Sequence, residues 1–296
     1  MDDPVEDAAT SAFLRHRELL FSIVYNMLAS VADTEDVLQE TWLNWSSREG
    51  IENPRAYLVR IAVNAALARR TSLKRRREEY VGPWLPEPIM TAEPDPAEQT
   101  EQVETVSMAM LVVLETLSPL ERAVFLLYEV FGYSHREIAD MVDRRPAAIR
   151  QIAHRAREHV QARRPRYTAA PAVQYAVTER FVAAIAGGDL NALLALLAPD
   201  VTLWGDGGGK ARAAGLRALQ GRDKIARLLI GERIRRPIPS LGVQYRSVNG
   251  DPSALLLSGD SLFAVIVLDL DEDLIAGIYA VTNPDKLSNQ SIDSRK

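Results

Sequence analysis

The chain has 296 residues, 35 Lys and Arg against 40 Asp and Glu, a net charge of -5 and no cysteine. That length suits about two domains, and the missing cysteine excludes disulfides, thiol nucleophiles, a thiol redox sensor and cysteine-based metal sites. No apolar run approaches the roughly 18 residues of a membrane span, and the acidic start, with Asp2, Asp3, Glu6 and Asp7, has no signal-peptide character, so the expectation is a cytoplasmic protein with no membrane partner.

The net charge is a sum of opposed blocks. Residues 1–59 carry 11 acids and 4 bases, residues 60–77 seven bases and no acid, residues 78–121 ten acids and no base, and residues 144–166 eight arginines and one acid. Two basic stripes separated by an acidic tether are an electrostatic footprint for a polyanion.

In chain order, Phe13, Leu14, Leu19, Leu20, Ile23, Val24, Met27 and Leu28 recur at helical spacing. Asp33 reads as the N-cap of a helix over Thr34–Trp45, and Pro54 opens a helix running to about Arg77. Five prolines between Val81 and Pro96 predict an extended linker. A helix is expected over Val103–Leu117, stopped by Ser118-Pro119. Ser118-Pro119 then caps the next helix, with Ala123, Val124, Leu126, Leu127 and Val130 as its apolar stripe and Gly132 as its stop. Ser134 with Glu137 makes a capping box for a short helix over His135–Met141. After a tight break at Asp143-Arg144-Arg145, Pro146 starts a helix whose Ile149, Ile152 and Ala153 point inward and whose Arg150, Gln151 and Arg155 point out.

A short helix, a tight turn and a basic second helix are what a helix-turn-helix needs to enter a major groove. Arg and Gln can read base edges there, while flanking arginines neutralise phosphates. His135, His154 and His159 form no convergent set, and no metal site or cofactor is expected.

A second joint falls at Ala162–Pro171. Beyond it, helices are expected over Tyr175–Ala186 and Leu190–Leu197. Strands follow over Val201–Trp204, Leu241–Val248, Ala254–Leu257, Leu262–Leu270 and Leu274–Val281, separated by Gly, Asn, Asp and Pro turns. This half reads as α+β with a mostly antiparallel sheet.

The Ser118–Arg157 segment resembles region 4 of an extracytoplasmic-function sigma factor. The stretch Asp33-Thr34-Glu35-Asp36-Val37-Leu38-Gln39-Glu40-Thr41-Trp42-Leu43-Asn44-Trp45 resembles the region 2.2 helix of the same family, and Asn53-Pro54-Arg55-Ala56-Tyr57-Leu58-Val59-Arg60-Ile61-Ala62-Val63-Asn64 the start of its regions 2.3 and 2.4. Four residues after Asn64, where the family often has Asp, this chain has Ala68.

The resemblance implies an alternative sigma factor with core RNA polymerase (the β′ clamp helices and the β flap) and promoter DNA as partners. It places core-polymerase contacts on Asp33, Asp36, Gln39, Glu40 and Leu43. It places -10 DNA contacts on Asn53, Tyr57, Arg60, Asn64, Arg69, Arg70, Lys74, Arg75 and Arg76. Contacts to -35 DNA fall on Arg144, Arg145, Ala147, Ala148, Arg150, Gln151, Arg155 and Arg157.

The C-terminal part resembles a SnoaL-like domain, an α+β cone-shaped barrel following an all-α half. Three short motifs tie the chain to the group forty-one, or sigma-J type, subgroup: Trp84-Leu85-Pro86-Glu87-Pro88, Asp206-Gly207-Gly208-Gly209-Lys210 and Asn283-Pro284-Asp285-Lys286-Leu287. The resemblance implies that this domain stands in for a separate anti-sigma factor and tunes the sigma part. The expected division is a region 2 domain over 1–80, a linker over 81–102, a region 4 domain over 103–166 and the SnoaL-like domain over 171–290. The simplest link between motifs is a Glu87–Lys210 ion pair, and the glycine run could offer its amides as an anion nest.

Two other readings are open to this sequence. One is a SnoaL-type enzyme fused to DNA-binding helices. All four histidines precede the barrel, and although Asp206, Trp204, Tyr245, Tyr279 and Asp260 could line a pocket for an unknown small-molecule ligand, no acid/base pair stands out, so the chain is read as no enzyme. The other is an ordinary helix-turn-helix repressor, which has no use for a clamp-docking helix.

Overall fold

The computed structural model describes residues 4–91, 106–163, 169–211, 215–231 and 241–288. The chain divides into two compact units, one of Met1–Glu78, Gln99–Val106 and Val113–Arg164, the other of Glu79–Glu98, Ser107–Val112 and Pro165–Lys296.

The first unit opens with α1 (Pro4–Leu28), α2 (Val31–Ser46) and α3 (Pro54–Glu78). Their shared core is built from Leu20, Ile23, Val24, Met27 and Leu28 of α1, Val37, Leu38 and Trp45 of α2, and Leu58, Val59, Ala62, Val63 and Ala66 of α3. The alanines let the α3 backbone approach its neighbours closely. Trp45 ties the end of α2 to α1 by donating its indole N–H to the Ala9 carbonyl at 2.8 Å. The α1–α2 turn is made by Ala29 in the left-handed region, φ 57°, a place glycine usually fills. The cap of α2 is Ser30, whose hydroxyl accepts from Asp33 N–H. The sequence pointed to Asp33 because it is the more obvious acidic cap, but the chain begins its helix one turn earlier.

The helix α4 (Met108–Leu114) is shorter than the expected Val103–Leu117; residues 103–105 lie outside the described ones. Ser107 starts it, accepting from Met110 N–H at 3.2 Å, and tighter bonds from Thr116 and Leu117 back to Val113 and Leu114 end it. The capping box at Ser118 and Glu121 opens α5 (Pro119–Phe125), and the one at Ser134 and Glu137 opens α6 (His135–Met141). Between them lies a π-helical turn, Leu126–Val130, where Phe131 N–H reaches back to the Leu126 carbonyl at 3.0 Å. No sequence signal distinguished it from the α-helix before it. Asp143, φ 52°, turns the chain into α7 (Pro146–Gln161), which starts where Pro146 was expected to start it.

The second unit holds α8 (Pro171–Gly187), α9 (Leu190–Leu196), α10 (Arg222–Ile230) and α11 (Pro284–Leu287). Its sheet contains β1 (Met90–Thr91), β2 (Leu197–Asp206), β3 (Leu219–Gln220), β4 (Leu241–Val248), β5 (Asp251–Ser258), β6 (Ser261–Asp271) and β7 (Leu274–Val281) in the order β1-β4-β5-β6-β7-β2-β3. Every pairing is antiparallel except β2 with β7. Asn249-Gly250, both at positive φ, make a two-residue hairpin turn. This is the α+β, mostly antiparallel architecture expected of the C-terminal half. The expectation missed α10, β3 and α11, and it missed that the linker supplies β1.

One face of the sheet packs Leu268, Leu270, Ile275 and Ile278 against Phe181, Leu193, Ile225 and Leu229 of the helices. The other face presents Leu255, Val265, Val267, Tyr279 and Val281, and it is covered by Leu85 of the linker and by Met108 and Ala109 of α4. Trp204 and Tyr279 stack at 4.9 Å within that apolar layer.

At one end of the covered face, Asp251 accepts from Met108 N–H at 3.2 Å. Burial pushes its carboxyl up to about 7, with the Met108 N–H bond opposing, the Asp269 charge adding and a Gln174 bond opposing. Asp269 is pushed up to about 6 by burial and by Asp271. Between the usual value of 3.8 and the raised value, the folded chain keeps a proton that the unfolded chain has released. Stability contributed here is therefore present at low pH and falls as pH rises through that window. Asp251→Asn removes the titration, so the melting midpoint of the variant should fall less steeply than that of the parent between about pH 5 and about pH 8. Parallel slopes would remove Asp251 as the source.

Candidate functional site

On α2, Thr34, Val37, Leu38, Thr41 and Trp45 face the core. The half-turns between them leave Asp36, Gln39, Glu40 and Leu43 exposed, Leu43 by 64%. Asp33 and Asp36 are bridged by Arg69 of α3, at 2.8 Å for Asp33.

The remaining α3 residues separate into two sets. Asn53 caps the helix, its side chain accepting from Ala56 N–H at 3.0 Å, Tyr57 packs against Trp45 with ring centroids 6.1 Å apart, and Arg60 is exposed. Asn64 donates to the Met141 carbonyl at 2.8 Å. Arg70 is only 5% exposed and pairs with Glu115 at 3.1 Å. The side chains of Lys74, Arg75 and Arg76 lie outside the described ones.

On α7, Ile149, Ala153, Ala156 and Val160 are buried, while Arg144, Arg145, Ala147, Arg150, Gln151, Arg155 and Arg157 are exposed and Ala148 is half-buried. The exposed helix face is thus basic at the N-terminal end, where a recognition helix meets base edges. The π-helical turn adds something sequence reasoning missed. It aims Tyr128 and Glu129 at the next two helices: Tyr128 stacks on His135 at 4.2 Å, Arg157 lies 5.6 Å over the Tyr128 ring, and Glu129 accepts from Arg157 Nε at 2.8 Å.

In the second unit the three short motifs converge on Asp206, at the end of β2 and 0% exposed. Its carboxylate accepts from the Tyr80 hydroxyl at 2.5 Å, Leu85 N–H at 2.8 Å and Gly208 N–H at 3.2 Å, and it pairs with Lys286 Nζ at 2.7 Å. Lys286 also donates to the Leu85 carbonyl and sits 4.2 Å from the Trp84 ring centroid, a cation–π contact that strengthens as water is excluded. Asn283 donates to the Tyr80 hydroxyl at 2.8 Å and caps α11. Burial and the Asp206 carboxylate push the Tyr80 hydroxyl well up.

Gly208, at φ +58°, has to be glycine, because a Cβ there would lie 2.5 Å from Asn283 Nδ2. The linker residues Leu85, Pro86, Glu87 and Pro88 are all buried. Lys210 pairs with Asp285 at 2.5 Å, where the sequence suggested Glu87. The glycine-loop amides are engaged internally, Gly208 by Asp206 and Lys210 and Ala211 by the Gly207 carbonyl, so they form no open anion nest. Tyr80 was missed as a member of this cluster, and nothing in its sequence context set it apart.

Of the suggested pocket residues, Trp204 and Tyr279 belong to the packed layer, Asp206 to this cluster, Tyr245 is half-buried and Asp260 exposed in a turn. Among the described residues no group of His, Asp and Glu could hold a metal ion.

Removing the charge of Asp206 leaves Lys286 buried without its anion. Asp206→Asn should destabilise the second unit by about 3–5 kcal/mol, read as a lower denaturant midpoint; a loss below about 1 kcal/mol, the size of an exposed pair, would show that the cluster tolerates an unpaired lysine.

Residues 12–76 match the Sigma-70 region 2 family and residues 107–160 the Sigma-70, region 4 family. The chain is 35% identical to the ECF RNA polymerase sigma factor SigJ of Mycobacterium tuberculosis, over 97% of this chain and 95% of that protein. It is 27% identical to the probable ECF RNA polymerase sigma factor SigI of the same species, over 95% of each. The crystal structure of M. tuberculosis SigJ superposes with a TM-score of 0.75 at 31% identity, covering 96% of this chain and all of that one. The helix-turn-helix, the region 2 helices and the C-terminal sheet therefore occur together in a known order, and the chain belongs to the extracytoplasmic-function RNA polymerase sigma factors, alternative sigma factors that act in transcription initiation and not as enzymes.

Proposed function

We propose a division of labour within this sigma factor. Residues 1–80 bind core polymerase and the -10 element, residues 81–102 tether, residues 103–166 bind the -35 element, and residues 171–290 regulate. The α2 face of Asp36, Gln39, Glu40 and Leu43 docks on the β′ clamp helices, with Asp33 at its edge. Asn53, Tyr57, Arg60, Asn64, Arg69 and Arg70, with Lys74, Arg75 and Arg76, serve the -10 strand. The α7 residues Arg150 and Gln151 read -35 bases, Arg144, Arg145, Arg155 and Arg157 hold phosphates, and Ala147 and Ala148 leave room for the groove edge. The region 4 helices also meet the β flap. Such work places the protein in the cytoplasm, beside polymerase.

The observation that carries this reading is the split of α7 into a buried apolar stripe and an exposed face holding Arg150, Gln151 and Arg155. Regulation rests on the Asp206 cluster, where the linker between the two DNA-binding parts is held by the second unit's own motifs.

Run-off transcription with core polymerase tests the assignment. Replacing Arg150 and Gln151 by Ala should cost roughly 1–3 kcal/mol of discrimination for each lost bidentate base contact, measured as the ratio of transcripts from matched and mutated -35 sequences; full retention of preference would displace the recognition-helix register. Asp36→Arg with Glu40→Arg should weaken binding to core polymerase in a fluorescence titration while leaving the circular dichroism unchanged. Unchanged affinity would take the clamp contact away from α2.

A further inference from the structure

Glu115 follows α4 and lies against three guanidinium groups, Arg122 Nη1 at 2.5 Å, Arg70 Nη2 at 3.1 Å and Arg77. Arg122 is 0% exposed, donates from Nε to the Asn26 carbonyl at 2.8 Å, and has a second amino group, Nη2, with no partner among the described residues. Arg77 also donates to the Leu28 carbonyl at 2.6 Å. Asn26 and Leu28 end α1, so two of the three cations plug the negative end of a helix. Burial works to raise the Glu115 carboxyl, but the Arg122, Arg70 and Arg77 charges hold it down to about 2, so it stays ionised at neutral pH.

The cluster joins helices far apart in the chain. Arg70 and Arg77 lie on α3, Arg122 on α5. Two further contacts follow the same seam: Asn64 of α3 bonds the Met141 carbonyl at the end of α6, and Arg55 sits 5.9 Å over the ring of Tyr133. We propose that Glu115 is the bolt of an internal latch that holds α1 and α3 against α5 and α6 and withholds Asn64 and Arg70 from promoter DNA, so that engaging the -10 strand requires the latch to open.

The inference rests on the assignment of Asn64 and Arg70 to the -10 strand. Its physical core is the charge imbalance. One carboxylate pairs with three cations, two of them buried and Arg77 half-buried, so losing the anion is far worse than losing any one arginine. For the same reason a phosphate backbone, which offers further anions, competes well for Arg70. Opening is thus coupled to the polyanion the opened face binds.

Because the chain has no cysteine, Glu52→Cys with Gln161→Cys, both at exposed positions, gives a doubly labelled full-length protein for energy transfer. Glu115→Gln in that background should lower transfer efficiency. It should also tighten binding of a fluorescein-labelled, mixed-sequence single-stranded DNA by about tenfold, on the order of 1.4 kcal/mol. Glu49→Gln, an exposed change of equal charge, should do neither. Unchanged transfer in Glu115→Gln overturns the latch, and so does lower transfer without tighter DNA binding. If Glu115→Gln loses helical circular dichroism, Glu115→Asp keeps the charge but shortens its reach, and it should shift both readouts in the same directions; no shift overturns the latch equally. Neither readout uses polymerase, so failure of the parent protein to direct run-off transcription would count against the proposed function and not against the latch.

Discussion

Each unit contains a carboxylate ringed by partners, Glu115, half-buried, in one and Asp206, fully buried, in the other, and a charge taken out of water is tolerated only when cations and donors surround it. Asp206 meets that requirement with a hydroxyl, two backbone N–H groups and an ammonium group. Glu115 meets it with three guanidiniums. In both cases most partners come from segments distant in the chain, so satisfying one anion fixes the placement of several elements at once.

In the second unit this constraint explains why three short motifs act as one. Leu85 supplies both an N–H to Asp206 and a carbonyl to Lys286, so the linker strand cannot shift without leaving a buried charge unmatched. Gly208 and Gly209 are there because the backbone must pass close to Asn283 and Val81. The linker then continues along the sheet edge as β1, paired to β4. A segment whose prolines suit it to a tether is therefore a structural part of the second unit, with its apolar side chains completing the layer over Val265, Val267 and Tyr279.

In the first unit the same constraint uses residues proposed for the -10 strand. Arg70 is drawn inside to Glu115, Arg69 bridges the carboxylates of α2, and Asn64 serves a carbonyl. The helix α7 keeps most of its basic face exposed. The described arrangement thus leaves one candidate DNA-binding surface open and pairs several residues of the other internally.

The sequence by itself determined the elements whose causes are local. The two capping boxes, the proline starts of α3, α5 and α7, the stripe of α7 and the limits of β4 and β7 follow from patterns a few residues long. The family motifs also marked Trp84–Pro88, Asp206–Lys210 and Asn283–Lys286 as important. Only the tertiary structure decided their pairing. Lys210 meets Asp285 and Lys286 meets Asp206, although charge alone allowed Glu87. The choice depends on which groups are buried together, and that is a property of the packed sheet. Tyr80, the π-helical turn and the burial of Arg70 and Arg122 were illegible for the same reason. A basic residue in a basic stripe looks the same whether it faces solvent or a single carboxylate 45 positions away, and only long-range packing separates the two.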